Sequence, residues 1–254
     1  MPIDYSILIP TLNEELYIEA CILSLVKNND LINHCEILVI DGKSEDTTCE
    51  IVQSYNDERI RLISEEDQGI YFAMNKGYEE SSGDVVGFLN SDDFFAHSKV
   101  LEDYVDVFNK GYDCCYGDIE YVTNLSRNLC KPVRLWKPGK YKEAKLTRGW
   151  IPPHPSFYAR RSLFERLGIF DVQYKFAADF DLICRFLSND CSIKYLEGTK
   201  VMMRVGGVTN NSFKNIYLGN KEIIESLKKN SFKPGISFFI YKFLERFKQY
   251  FKVY

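Results

Sequence analysis

Along the first hundred or so positions, apolar residues fall into short blocks separated by polar turns. Tyr5-Ser-Ile-Leu-Ile9 is apolar almost throughout and is closed by Pro10, the form of a strand covered on both faces. Leu16–Lys27 places Leu16, Ile18, Ala20, Ile22, Leu23, Leu25 and Val26 so as to suit a packed helix. Glu36–Ile40 predicts a second buried strand ending at Asp41-Gly42, Thr47–Tyr55 a helix, and Ile60–Ile63 a third strand. Ile70–Glu80 predicts a helix behind Gly69, Val85–Leu89 a fourth strand running into Asn90-Ser91-Asp92-Asp93, and Val100–Asn109 another helix. Strands and helices alternating at this spacing predict an α/β fold with a mainly parallel central sheet flanked by helices. In such sheets ligands gather at the carboxyl ends of the strands, here the loops after Ile9, Ile40, Ile63 and Leu89.

Beyond residue 112 the alternation gives way. Cys114–Tyr116 and Ile119–Thr123 predict strands on either side of Gly117, and the proline-rich Trp150-Ile-Pro-Pro-His-Pro155 follows. Leu163–Leu167 and Phe180–Leu187 predict helices, Ile193–Leu196 and Val201–Val205 strands. No linker-like composition divides residues 1–210, which are expected to form one domain. Residues 211–254 are expected to form a helical C-terminal extension broken near Pro234-Gly235. Its last stretch sets Ile236, Phe239, Ile240, Phe243, Leu244, Phe247 and Phe251 on one stripe of an amphipathic helix.

Composition narrows the class. With 254 residues, 45% of them hydrophobic, the chain can bury one sizeable core, and a net charge of −4 argues against a nucleic-acid partner. Eight cysteines occur without a CxxC pair and with only three histidines, so buried reduced thiols are expected rather than a zinc site. Neither a signal peptide nor a run long enough to span a membrane is recognised, and a cytoplasmic protein is expected. From Ser231 onward Lys233, Lys242, Arg246, Lys248 and Lys252 stand against the single Glu245. This basic, aromatic tail suits the inner face of an anionic plasma membrane, or an apolar stripe packed on the body of the chain or on a second subunit.

The strand-end loops are acidic. Asp92 and Asp93 follow a buried strand, and adjacent carboxylates there call for a cation; hard oxygen ligands suit Mg²⁺ or Mn²⁺, which bridge phosphates. Taken alone, the same residues could form a turn or cap. Gly42-Lys43-Ser44 ends like a P-loop, but the position of the first glycine holds Ile37, and no GxGxxG occurs.

Four segments taken together carry a resemblance: Ile7-Leu-Ile-Pro-Thr-Leu-Asn-Glu14, Ile40-Asp-Gly-Lys-Ser-Glu-Asp-Thr47, Gln68-Gly-Ile-Tyr-Phe-Ala-Met-Asn-Lys-Gly77 and Gly83-Asp-Val-Val-Gly-Phe-Leu-Asn-Ser-Asp-Asp93. In order and spacing they resemble the family 2 glycosyltransferases, inverting enzymes with the nucleotide-sugar-binding GT-A fold, from about Tyr5 to Gly207. The resemblance implies a nucleotide-sugar donor site. Pro10, Thr11, Asn13 and Glu14 would line the nucleoside, and Asp41 would meet the base. Gln68, Ala73 and Asn75 would stand near ribose and sugar, and Asn90 and Asp92 near the nucleotide. Asp93, with Asp92, would serve a divalent metal, Mn²⁺ or Mg²⁺. Many relatives have Asp where this chain has Asn90.

Inverting transfer needs a general base for the acceptor hydroxyl. Phe176-Ala-Ala-Asp-Phe-Asp-Leu182 resembles the family segment that opens a helix with the base, except that Ala178 stands where a second acid is usual. Asp179 is the expected base, with Asp181 as the other candidate; a capping role for Asp179 is the plain alternative. On the acceptor side, Trp150 would stack on a sugar or simply pack, and His154 would touch phosphate, metal or acceptor, or be an ordinary hydrogen-bonded histidine. Arg204 would pair with the diphosphate. The expected reaction moves a sugar, from a UDP-sugar by the character of Asp41, to a saccharide or lipid-linked saccharide in surface-polysaccharide synthesis. A nucleotidyltransferase and a non-catalytic nucleotide-sugar binder are the rival readings.

Overall fold

The computed structural model describes residues 4–27, 34–126, 129–205 and 213–234, together with 238 and 244. Strand β1 (Tyr5–Thr11) leads to α1 (Ile18–Val26), β2 (Cys35–Asp41) to α2 (Thr48–Gln53), and β3 (Ile60–Ser64) to α3 (Ile70–Glu80). Then come β4 (Val85–Phe88), the two-residue β5 (Phe94–Phe95), α4 (Val100–Asn109), β6 (Cys114–Ser126) and β7 (Leu129–Trp136). Two short 3-10 turns precede β8 (Tyr158–Arg160), α5 (Arg161–Leu167), α6 (Ala178–Leu187), β9 (Ile193–Arg204) and α7 (Phe213–Lys229).

One sheet joins all the described strands in the order β3-β2-β1-β4-β8-β6-β9-β5, with β7 paired to β6. The first four strands are mutually parallel. β8 enters antiparallel to both β4 and β6. β6 therefore runs with the first four strands, and β9 runs with β6. The sheet is thus mainly parallel in direction, with β5, β7 and β8 reversed. Gly87 permits the junction: a Cβ there would lie 2.1 Å from the Tyr158 ring, which crosses β4 at that point.

Alternation along the strands builds two cores, since successive side chains point to opposite faces. Ile7, Ile9, Ile37 and Val39 pack with α1, α2 and α4 on one side. Leu8, Leu38, Ile40 and Phe88 pack with α3, α5 and α6 on the other. A smaller cluster of Ala177, Phe180, Cys184, Leu227 and Phe238 joins α6 to α7. All eight cysteines are free thiols.

The pairs of short strands expected around Gly117 and before Val205 are each one long strand, β6 and β9, whose mutual pairing shifts register at Asp118. A side chain absent at Gly117 leaves room there for Lys200. In the tail, α7 forms as expected, whereas most of the amphipathic stripe from Ile236 to Phe251 lies outside the described residues. No described helix is long and apolar enough to cross a membrane.

Candidate active site

The carboxyl ends of β1 and β2 are laced into one wall. Asn13, held at a left-handed φ of 55°, gives its amide N–H to Ser44 Oγ (2.7 Å), and its side-chain oxygen accepts the Glu45 N–H (2.8 Å). Glu14 N–H donates to Thr48 Oγ1, and Glu15 accepts the Thr47 N–H and hydroxyl. Asn13 thus joins the loops themselves. Asp41, buried at the tip of β2, accepts from Lys43 N–H, Ser44 N–H and Oγ, Ser64 Oγ and Cys49 Sγ. Burial alone would raise its pKa, but these hydrogen bonds prevail and hold it below the ordinary carboxylate value. Asp41 organises this wall with most of its lone pairs already engaged. Beside it Pro10 and Thr11 are buried, and the Thr11 hydroxyl has no partner among the described residues.

At the end of β4 the two aspartates differ sharply. Asp93 is buried, and its oxygens accept the Arg204 N–H (3.1 Å) and the Asn90 side-chain amide (3.1 Å). It pins the β4 loop to the end of β9. Burial, and then the Asp92 charge, push its pKa far up. Asp92 is only half-buried; burial raises its pKa against a backbone hydrogen bond and the pull of Arg204. Across from it, burial followed by the charges of Asp92 and Asp46 lifts Glu14 to about 7. The Arg204 guanidinium lies over the rings of Tyr17 (4.6 Å) and Phe94 (5.1 Å) and moderates all three carboxylates. The cluster is therefore acidic with one buried cation beneath it, suited to a metal-borne diphosphate.

The second half of the site stands on α6 and the proline-rich turn. Asp179 lies in the first turn of α6, half-buried. Its Oδ1 accepts the Phe180 N–H (2.7 Å) and the Tyr71 hydroxyl (3.4 Å), and its Oδ2 has no hydrogen bond among the described residues. His154 stacks on Phe88 at the tip of β4 (5.7 Å, 24°) and meets Phe170 edge-on. Its buried Nε2 has no described partner; burial lowers its pKa while the Asp179 charge raises it. Asp179, His154 and Phe88 thus connect the head of α6 to the same sheet end that carries Asp92.

A family profile, Glycosyl transferase family 2, matches residues 6–168, well over half the chain. The chain belongs to that family. Among curated relatives of this glycosyltransferase is a PGL/p-HBAD biosynthesis glycosyltransferase of Mycobacterium bovis, 27% identical over 190 residues that cover 73% of this chain and 70% of the relative. The uncharacterized glycosyltransferase EpsJ of Bacillus subtilis is 26% identical over 192 residues, 68% of this chain and 53% of EpsJ. Among solved structures, S. aureus TarS 1-349 in complex with UDP-GlcNAc superposes with a TM-score of 0.67 at 18% identity, over 88% of this chain and 66% of that one. The mannosyltransferase PcManGT from Pyrobaculum calidifontis, in complex with GDP-Man and Mn2+, gives 0.64 at 17% identity, over 98% of this chain and 70% of that one. At these identities the structures establish the GT-A fold. This chain spans just under two thirds of the TarS structure and about half of EpsJ.

Several residues expected at the donor or acceptor serve the scaffold of the glycosyltransferase. Asp181 is fully buried on the α7 side of α6, paired with Arg185 (2.9 Å) and hydrogen-bonded by Ser226 (2.9 Å) and Asn230 (3.4 Å), so it does not open to the site. Trp150 packs against Tyr141 and Tyr116 with Lys145 over its ring at 4.5 Å, which leaves no face for a sugar. Asn75 spends both ends of its amide on the Phe170 backbone, at 2.9 Å each. Ala73 is a core contact of α3, while Gln68 is exposed just before the left-handed Gly69 that starts that helix. Tyr71 and Glu222 were not foreseen. Tyr71 falls in the Gln68–Gly77 segment and is half-buried beside Asp179; burial and then the Asp179 charge hold its phenol well above its usual pKa. No local sequence signal marks Glu222.

Among the described residues no group of three or more His, Cys, Asp and Glu side chains comes together as a ready-made metal cage. The half-buried Asp92 carboxylate still fits a hard cation, because Mg²⁺-type ions commonly take one or two protein carboxylates and complete their shell with substrate phosphates and water.

Proposed function

We propose that this glycosyltransferase moves a sugar, with inversion, from a UDP-sugar to a hydroxyl of a saccharide or lipid-linked saccharide in surface-glycan assembly. The observation that carries the reading is Asp179: a carboxylate with one oxygen anchored and the other without a hydrogen bond among the described residues, at the same sheet end as Asp92. In the proposed step Asp179 Oδ2 takes the proton of the acceptor hydroxyl. The acceptor oxygen bonds to the anomeric carbon from the face opposite the diphosphate, the bond from that carbon to the diphosphate oxygen breaks, and UDP departs. A divalent cation, Mn²⁺ or Mg²⁺, held by Asp92 and the diphosphate would offset the negative charge that grows on the leaving group. Arg204 adds positive potential from beneath. Thr11 and the Asn13–Glu14 turn line the nucleoside side, and His154, whose buried Nε2 has no partner among the described residues, backs the site as a neutral imidazole.

The UDP assignment is supported by likeness of fold to TarS, solved with UDP-GlcNAc, and the glycan acceptor by the relative named for PGL/p-HBAD biosynthesis. The basic tail supports a place at the inner membrane face, where lipid-linked acceptors present their sugars, with self-association through the same segment as the competing use.

The test is incubation with Mn²⁺ and a panel of UDP-, GDP- and dTDP-sugars, with mass spectrometry of products. Release of UDP, abolished by chelator and by Asp179→Asn, is expected. Pyrophosphate release would mark a nucleotidyltransferase, and donor binding without turnover a non-catalytic binder; either overturns the proposal.

A further inference from the structure

The helix that presents Asp179 has no N-cap of its own. Its cap position is Ala177, at φ −133° and ψ 25°, which has no side-chain oxygen to receive the exposed N–H groups. A helix start without such an acceptor leaves up to four donors unsatisfied, and replacing a capping side chain by alanine costs about 0.5–2 kcal/mol. Here the Ala177 N–H, the first of those donors, finds its acceptor on another helix, together with the two N–H groups before it, while Asp179 itself takes the Phe180 N–H. Glu222 on α7 accepts the Lys175 N–H at Oε1 (3.1 Å) and the Phe176 and Ala177 N–H groups at Oε2 (2.7 and 3.0 Å). One carboxylate thus gathers three consecutive backbone donors of the turn that runs into α6, where the helix dipole also favours a negative charge.

Asp179 follows this turn by two residues. It is held behind by the Glu222 clamp and in front by the Tyr71 hydroxyl. Other ties between α7 and this region are made elsewhere: Ser226 reaches Asp181 on the buried side of α6, and Lys229 pairs with Asp171 (2.8 Å). Neither touches the 175–177 backbone. Both Glu222 and α6 lie beyond residues 6–168, the part of the chain that matches the family profile.

We propose that Glu222 is a positioning residue for sugar transfer: by clamping the N–H groups of Lys175, Phe176 and Ala177 from α7, it fixes the distance and direction at which Asp179 meets the acceptor hydroxyl. This rests on Asp179 being the base. The C-terminal helix thereby becomes part of the transfer apparatus. Misplacement of a reacting group by about 1 Å can cost on the order of 10²-fold in rate, whereas the β1, β2 and β4 loops make no hydrogen bond to residues 175–177 among the described residues.

The experiment compares the full chain with Glu222→Ala, Glu222→Gln and Ser226→Ala by steady-state UDP release, thermal melting and amide hydrogen exchange. Glu222→Ala is expected to lower kcat roughly 10- to 100-fold, with the donor KM within about twofold of the parent. Glu222→Gln, whose amide oxygen can still accept, is expected to recover most of that loss. Ser226→Ala loosens the same pair of helices without touching the turn and is expected to lower the melting temperature with kcat unchanged. Parental kcat in Glu222→Ala overturns the proposal, and so does an equal fall in kcat for Ser226→Ala, which would reduce Glu222 to general stability. Should Glu222→Ala not fold, Glu222→Asp, one methylene short of the turn, replaces it with the same expected loss. If the parent itself releases no UDP, the base assignment fails separately. The clamp is then read by exchange at residues 175–177, which accelerates in the Glu222 variants if the clamp exists and stays unchanged if it does not.

Discussion

Asp179 and Asp181 are two residues apart on α6, and replacing each in turn separates chemistry from scaffold. Asp181 is wholly buried and accepts hydrogen bonds from Arg185, Ser226 and Asn230. Removing one member of a buried ion pair costs about 3–5 kcal/mol. Arg185 keeps three backbone carbonyls, those of Leu167, Gly168 and Ile169, so Asp181→Ala belongs near the lower end, about 3 kcal/mol. At roughly 2–4 °C per kcal/mol for a chain of this size, the melting temperature should fall by about 6–12 °C. Molecules that remain folded should turn over at the parental rate, because that face of the helix is packed against α7. Asp179→Asn should do the reverse. It is half-buried, makes no ion pair among the described residues, and its amide oxygen can still receive the Phe180 N–H, so stability should change by less than about 1 kcal/mol. Loss of the proposed base should lower kcat by about 10²–10⁴. Differential scanning calorimetry alongside a UDP-release assay at one common temperature, 20 °C below the melting point of the least stable variant, reads both quantities. A stable but inactive Asp181→Ala, or an active Asp179→Asn, would refute the division of labour.

Asp92→Ala should abolish the Mn²⁺-dependent part of UDP binding in a thermal-shift assay with little loss of intrinsic stability. Asp93→Ala should destabilise by about 1–3 kcal/mol, because it strands the Arg204 N–H and the Asn90 amide; equal effects of the two would contradict their different exposures. Glu14, raised from 4.5 to about 7, binds its proton more tightly in the folded chain than in the unfolded one. Stability in chelator should therefore decline through this group as the pH climbs from about 4.5 to 7, with the penalty complete above that range. Glu14→Gln should flatten the decline, and parallel melting curves for parent and variant would show the burial to be misjudged. Trp150→Ala should cost about 3–5 kcal/mol while leaving donor and acceptor KM unchanged; a selective rise in acceptor KM would restore a sugar platform.

The parallel half of the sheet was readable because strands covered on both faces must be apolar nearly throughout, and β1, β2 and β4 are. β8 escaped notice because three residues carry no period, and β7 because Lys131, Pro132 and Arg134 break its apolar run. The strand-end acids were legible as a group, since loop position follows from the alternation. Which of each pair faces the site was not. The difference between Asp92 and Asp93 depends on Arg204, 111 residues later, and that between Asp179 and Asp181 on Ser226 and Asn230 in α7. Trp150 illustrates the same limit, because its covering groups, Tyr141 and Tyr116, come from segments that periodicity alone does not bring together.

The reversed strand β8 has a consequence for biosynthesis. The edge of β4 that it covers is offered no partner by anything earlier in the chain, so a nascent polypeptide that has emerged only as far as α4 shows a bare, strongly apolar ladder. Closure waits until Tyr158–Arg160 leave the ribosome, and Tyr158 and Ala159 then bridge to β6. A fragment ending before Tyr158 should accordingly self-associate through β4 instead of persisting as a free nucleotide-binding half, and slowed translation across the preceding proline-rich turn should lengthen the interval in which chaperones are needed.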